Sequence, residues 1–257
     1  MKVLVTGGTG VLGREVVKEL RRAGHQARVL SRKPGTGADW ARGDLATGAG
    51  LESAVADMDV IVHAATAARR PWKIGATDVK GTARLLAAAR RAHIQHVLYI
   101  SIVGMEGVAY SYYRDKLAAE KIVREDIVPW SILRATQFHA FMEFVLGIFS
   151  TPPRYATVPL DWQFQPVDAR EVAVRVTEVV AASPAGMLPD YGGPEVRNFG
   201  SLAESWLKAR HSKKQLVNLN LPFKASRQFA EGHVLCPDHR DGAVTFEQYL
   251  VRRYGKW

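Results

Sequence analysis

The 257 residues suffice for one large domain or a core domain with an appended lobe, and 47% apolar with 23% charged residues is the balance of a soluble globular protein. No apolar run approaches the roughly 20 residues that span a bilayer; the longest, at 141–149, carries Glu143, and the opening MKVLVTGG turns into a glycine loop too early for a secretory signal. A single cysteine, Cys236, excludes an internal disulfide and fits a reducing cytoplasm; the net charge of +10 comes from scattered basic residues rather than a Lys/Arg run, which argues against a nucleic-acid partner.

The first elements follow from hydrophobic period. KVLVT (2–6) is a compact apolar run with a β-branched bias and reads as a buried strand. Leu12, Val16, Val17 and Leu20 then recur at helical spacing, and Gly24 is a natural stop. ARVLS (27–31) is the next strand, so the first 31 residues make a βαβ unit with parallel strands and a right-handed crossover. DVIVHAA (59–65), HVLYIS (96–101) and WSILRA (130–135) read as strands, and GTARLLAAARRA (81–92) and YRDKLAAEKIVRE (113–125) as helices. This alternation predicts an α/β fold: a Rossmann-type doubly wound parallel sheet with a small C-terminal α/β substrate lobe.

After about residue 136 the pattern weakens. STPPRYATVPLDW (150–162) is proline-rich and reads as a loop, REVAVRVTEVVAA (170–182) as a helix, and GSLAESWLKARH (200–211) as a helix with Ser201 as N-cap and Glu204 three residues on. QLVNLNL (215–221) reads as a strand and TFEQYLVRRY (245–254) as a terminal helix. The expected division is a dinucleotide-binding domain over 1–150, to which 164–182 returns, and a smaller substrate lobe over 151–257.

Chemistry-bearing residues cluster where strands end. TGGTGVLG (6–13) places Gly7, Gly10 and Gly13 after the first strand and at the start of the first helix. There the chain must turn sharply, approach a pyrophosphate by its backbone and pack helix against strand, while the helix amino terminus offers N–H groups to phosphate. Gly7, Thr9, Gly10, Val11, Leu12 and Gly13 are the expected cradle. At the end of the second strand stand Ser31, Arg32 and Lys33 instead of the acid that would bind an NAD ribose, which favours the 2′-phosphate of NADP over NAD. Asp44 and Leu45, in GDL, follow the third strand; the Asp44 carboxylate is either an acceptor for the adenine amino group or a turn carboxylate. Ala64, Ala65 and Thr66 end the fourth strand, where the two alanines either leave room for the cofactor or belong to a small-residue core. Tyr112 and Lys116, four apart, share one helix face.

Taken together, TGGTGVLG (6–13), GDL (43–45), HAAT (63–66), DVKGTARLLAAA (78–89), HVLYISIVG (96–104), YYRDKLAAE (112–120), WSILRATQF (130–138) and FQPVDAREVA (164–173) resemble the extended or atypical short-chain dehydrogenase/reductases, and within them the NmrA-like NAD(P)-binding proteins. The resemblance implies a Tyr-x-x-x-Lys pair beside the nicotinamide, here Tyr112 and Lys116, with Ser101 as the hydroxyl that orients a substrate carbonyl. It also implies that Ala135, Thr136 and Phe138 pass near the nicotinamide. Tyr113, three residues from Lys116, competes with Tyr112, and Asp78 replaces the family asparagine before V-x-G-T. His139 and His63 read as structural, and the eight histidines and one cysteine show no metal-ligand spacing. Three activities remain open: an NADP-dependent oxidoreductase acting on a small organic carbonyl or alcohol, a non-catalytic NADP(H) sensor, and an epimerase using the cofactor transiently. A homodimer is left open.

Overall fold

The computed structural model describes residues 1–35, 37, 39–67 and 75–256. Its first half runs β1 (Lys2–Thr6), α1 (Val11–Arg22), β2 (Gln26–Ser31), β3 (Trp40–Arg42), α2 (Leu51–Val55), β4 (Val60–His63), α3 (Lys80–Arg91), β5 (His96–Ile102), α4 (Ser111–Arg124) and β6 (Trp130–Ala135). The second half runs α5 (His139–Phe149), β7 (Tyr155–Val158), β8 (Gln163–Phe164), α6 (Ala169–Ala181), β9 (Gly186–Met187), β10 (Arg197–Asn198), α7 (Phe199–Ala209), β11 (Gln215–Asn218), α8 (Lys224–Ala230) and α9 (Phe246–Tyr254).

Seven strands form one parallel sheet in the order β3-β2-β1-β4-β5-β6-β9, the Rossmann-type doubly wound arrangement. β1 lies between β2 and β4, with Val5 opposite Val29 on one side and Val62 on the other. Because a central parallel strand is covered on both faces, Val3, Leu4 and Val5 are all fully buried, which is why the run is apolar without alternation. One face carries Leu4, Ile61, Val97 and Ile132 against Leu85, Leu86 and Ala89 of α3 and Ala119 and Val123 of α4. Each fully buried Leu, Ile or Val contributes about 1.5–3 kcal/mol relative to exposure. α1 buries Leu12, Val16, Val17 and Leu20 and stops at Gly24, whose φ of +82° a side chain would oppose.

The chain divides into two compact units. One comprises 1–101, 111–134 and 170–189, and contains the sheet; the other comprises 102–110, 135–169 and 190–257. The second unit holds two small sheets, β10-β8 and β11-β7, around Trp162, which stacks on Phe199 at 6.1 Å and meets Phe164 and Phe229. Two expectations are corrected there. The proline-rich stretch contains β7: Pro152, Pro153 and Pro159 lie outside Tyr155–Val158, whose N–H groups stay available. The cap of α7 is Asn198, whose side chain accepts from the Ser201 N–H at 2.7 Å; Ser201 sits inside the first turn and donates its hydroxyl to the Asn198 carbonyl. Among the described residues no helix is long and apolar enough to cross a membrane.

Two local constraints set the carboxyl edge of the sheet. The first is steric. Gly7 has φ +71°, and a Cβ there would lie 2.7 Å from the Ala64 carbonyl oxygen; a Cβ on Gly13 would lie 2.1 Å from the Gly7 oxygen. Three backbone segments thus meet with no room for a side chain. The second is polar. Thr82 donates its hydroxyl to the Asp78 carbonyl at 2.5 Å, so toward His63 it is an acceptor for Nε2–H at 2.9 Å. Burial pushes the His63 imidazole down to about 3, with the Lys116 charge adding to the shift, so the ring is neutral and Nδ1 accepts from the Thr6 hydroxyl at 2.7 Å. Thr6 Oγ1 in turn accepts from the Ala65 N–H at 3.3 Å. One proton arrangement satisfies the whole chain.

Gly13→Ala is expected to lose roughly 1–3 kcal/mol of stability, whereas Gly147→Ala, in α5 with nothing within 4 Å of the added Cβ, should gain about 0.5–1 kcal/mol; urea unfolding of the two variants reads both. The His63 ring gives a pH signature. Its folded value lies below its unfolded one, so its contribution is complete above about pH 6.5 and is lost as pH falls toward 3. Within that window the wild type should lose about 1.4 kcal/mol per pH unit more than His63→Gln, and equal slopes in urea titrations would exclude a buried neutral imidazole.

Candidate active site

The turn after β1 is closed by the Gly10 N–H on the Gly7 carbonyl at 2.7 Å. Gly10 caps α1 without a side-chain bond, and the first turn of α1 holds no acid. The helix therefore presents uncapped N–H groups and a positive dipole end beside a turn whose Gly7, Gly8 and Gly10 carry no Cβ, which fits a diphosphate. Thr9 and Gly10 are exposed and Val11 half-buried; Leu12 and Gly13 are buried and offer only main chain to a ligand. Arg14 is exposed and donates to the Thr9 carbonyl at 2.9 Å, bracing the loop.

At the end of β2, Ser31 Oγ accepts from the Lys33 N–H at 3.2 Å, and Arg32 and Lys33 are exposed. Trp40 donates its indole N–H to the Lys33 carbonyl at 2.9 Å, and Arg21 pairs with Asp39, so this basic corner is tied down on both sides. Asp44 accepts the Ala46 N–H at 2.9 Å on Oδ1, which closes a local turn after β3. Leu45 is a core side chain packed on α3, where a Cβ at Gly81 would lie 2.9 Å from it.

The loop after β4 is anchored twice. Ala65 is held by Thr6, and the Ala67 N–H donates to Asp78 Oδ2 at 3.0 Å. Ala64 and Ala65 are half-buried, and Ala64 forms the floor under Gly7. Thr66, between the two anchors, is exposed and lies 3.1 Å from the Tyr112 hydroxyl, oxygen to oxygen. Tyr112 is half-buried, whereas Tyr113 is buried, its ring 5.9 Å from that of Tyr112.

Lys116, one helical turn after Tyr112, is 3% exposed. Its ammonium donates to the Tyr99 hydroxyl at 2.6 Å and the Ile100 carbonyl at 2.8 Å, and lies over the Tyr99 ring. Its hydrogen bonds thus go to β5 rather than to Tyr112. Burial lowers its pKa to about 8, against the opposing charges of Asp78 and Glu120. Glu120 is itself held by Arg134 at 2.6 Å. Burial pushes the Asp78 carboxyl up, with Lys116 opposing. Ser101 is buried, and its hydroxyl has no hydrogen-bond partner among the described residues.

The remaining expected site residues lie in the second unit. Ala135 bridges Tyr191, Thr136 accepts the Gly193 N–H at 3.2 Å, and the half-buried Phe138 caps α5. His139 is structural, its Nε2 on the Val244 carbonyl and its ring stacked on Tyr249. Among the described residues no cluster of His, Cys, Asp or Glu could hold a metal ion.

The sequence reading did not assign Tyr99, nor the contact of Thr66 with Tyr112. One signal for Tyr99 was available: it stands two residues before Ser101 on a strand and so shares its face. The parallel register places Thr6 opposite His63 and His63 opposite Tyr99, lining polar side chains across β1, β4 and β5.

A family model described as NAD(P)H-binding matches residues 7–141. The chain is 29% identical over 206 residues to a (4-alkanoyl-5-oxo-2,5-dihydrofuran-3-yl)methyl phosphate reductase of Streptomyces griseus, a match covering 75% of this chain and 68% of that protein. It is 30% identical over 162 residues to the photosystem II assembly factor Ycf39 of Cyanophora paradoxa, covering 59% of this chain and 49%, about half, of the relative. In structure it is similar to the NADPH-dependent quinone oxidoreductase QOR2 of Escherichia coli solved with NADPH, at TM-score 0.76 and 14% identity over 98% of this chain and 99% of that one, a likeness of fold. The matched family segment begins inside the glycine turn and takes in the basic corner, the loop after β4 and the Tyr112–Lys116 helix, and on that ground the chain belongs to the family of NAD(P)H-binding proteins built on the Rossmann-type sheet.

Proposed function

We propose that the chain is an NADP-dependent reductase or dehydrogenase acting on a carbonyl or alcohol of a small organic molecule. The observation that carries this reading is the Tyr112 phenol, half-buried and 3.1 Å from the Thr66 hydroxyl, with a buried ammonium one turn along the same helix. Bound NADP(H) would supply or accept the hydride, held by the Gly7–Gly13 turn and the Arg32–Lys33 corner. The work of the protein is proton transfer at the Tyr112 oxygen. An unperturbed phenol near pKa 10 is a poor base at neutral pH, and the Lys116 charge favours its phenolate form. In reduction Tyr112 gives its proton to the forming alkoxide, and in oxidation it takes the proton from the alcohol. Thr66 fixes the phenol's position, and the Ser101 hydroxyl supplies a donor for the substrate oxygen. The basic corner supports NADP over NAD, because two exposed cations suit a 2′-phosphate. The likeness to an assembly factor supports a second reading, an NADP(H)-binding protein that acts through a partner.

Tyr112→Phe should lower kcat by about 100-fold or more while leaving the NADPH dissociation constant almost unchanged. Stopped assays with a carbonyl panel and fluorescence titration read the two quantities, and undiminished turnover would remove Tyr112 from the reaction. Arg32→Ala should weaken NADPH by roughly 10–100-fold, the scale of one charge-assisted hydrogen bond, and leave NADH nearly unaffected; equal losses for the two coenzymes would exclude a 2′-phosphate contact.

A further inference from the structure

Tyr99 stands in β5 between Leu98 and Ile100 and is 1% exposed. It belongs to the apolar face that Ile61, Val97 and Ile132 share beneath α3 and α4. A phenylalanine ring would fill this place as well, so the hydroxyl is the feature that needs a reason. Buried away from water, it must find a polar partner. That partner comes from α4: the Lys116 ammonium, also buried, donates to the Tyr99 oxygen at 2.6 Å. The same ammonium lies over the Tyr99 ring, 4.0 Å from its centre, and donates a second N–H to the Ile100 carbonyl at 2.8 Å. Two consecutive residues of β5 thus hold one cation through an oxygen, a ring face and a carbonyl. Hydrogen bonds with an ionised donor are the short and strong ones.

Tyr99 is itself held from the next strand. The parallel register puts His63 of β4 opposite it, with the two rings 5.3 Å apart. His63 is bonded at both nitrogens, by Thr6 and Thr82, so the phenol rests against a ring that is already fixed. The ionisable groups around Lys116 are otherwise occupied. His63 is neutral. Asp78, in the turn before α3, accepts the Ala67 N–H. Glu120, from α4, is bound at both oxygens by Arg134 of β6. Asp115, also on α4, lies 4.0 Å from where a Gly75 Cβ would be, and Tyr112 bonds Thr66. Among the described residues the hydrogen bonds of the Lys116 ammonium go to Tyr99 and Ile100.

We propose that Tyr99 is a positioning residue of the site: its hydroxyl, together with the Ile100 carbonyl, holds the Lys116 ammonium on β5 and keeps it charged one helical turn from Tyr112. Its effect on turnover rests on the hydride-transfer reading above; the hold on Lys116 does not.

The test uses Tyr99→Phe, which keeps the ring beneath the cation and removes only the oxygen. Cofactor-free protein labelled with 13C at lysine Cε is titrated by NMR, the Lys116 signal being identified by its loss in Lys116→Arg. The wild-type midpoint is expected at about 8. Without the phenol oxygen a buried ammonium N–H loses its acceptor, so the midpoint should fall by about one pH unit or more, a change of about tenfold in the ionisation constant. An unchanged midpoint overturns the proposal, because a residue that only fills the core would leave it in place. Should Tyr99→Phe not fold, Tyr112→Phe labelled with 13C at tyrosine Cζ decides: one remaining tyrosine signal should inflect at the Lys116 midpoint, and no inflection there overturns the proposal. In NADPH-dependent turnover, kcat/KM of Tyr99→Phe should fall about tenfold at about pH 9 and little at about pH 6, following the same shift; an equal fall at every pH would mark a residue that only packs the core and overturn the proposal. Absence of wild-type turnover would reject hydride transfer and leave the NMR titrations to decide the hold on Lys116.

Discussion

Polar groups buried away from water must each find a partner, and at the carboxyl ends of β1 and β4 one chain of hydrogen bonds meets that demand. It runs from the Ala65 N–H through Thr6, His63 and Thr82 to the Asp78 carbonyl. Each link has one donor and one acceptor only if His63 is neutral and carries its proton on Nε2. A charged ring would strand a donor in the core and add a cation to a region that already holds Lys116. The chain fixes how the backbone leaves β4, and so where Ala64 lies under Gly7. The geometry of the cradle follows from that placement, because Gly7 and Gly13 touch neighbouring backbone with no space for a methyl group.

Lys116 poses the opposite problem, a charge held in a buried place. Taking an ammonium out of water is costly, and the protein offsets the cost with a phenol oxygen, a main-chain carbonyl, the face of the Tyr99 ring and nearby carboxylates. The group that results is charged at neutral pH yet close to losing its proton. Under the proposed function, a cation of that kind would favour the phenolate of Tyr112 without the screening that a surface lysine suffers.

Of the two relatives compared above, one is named for a reduction and one for an assembly role, and the matched family segment covers the same part of the chain that builds the glycine turn and carries Tyr112 and Lys116. What that segment shares is therefore the handling of a dinucleotide. The second unit is organised separately, around the Trp162 aromatic cluster, with α9 fastened by Tyr249 and Tyr254 on Glu143 and by Arg252 on Asp168.

The alternation of β1, α1, β2, β4, α3, β5, α4 and β6, the parallel sheet and the glycine turn were legible along the chain, because hydrophobic period and glycine placement act over a few neighbouring residues, whereas the five-residue helix α2 is too short to show a period. The same holds for the Tyr112–Lys116 pair, four apart on one helix. Legibility failed where a residue's surroundings come from distant segments. Thr66 reaches Tyr112 across 46 residues and Lys116 reaches Tyr99 across 17. No local pattern encodes such meetings; the register of β1, β4 and β5 and the packing of α4 bring them about, and only the folded chain shows that the lysine is buried on a tyrosine of the neighbouring strand.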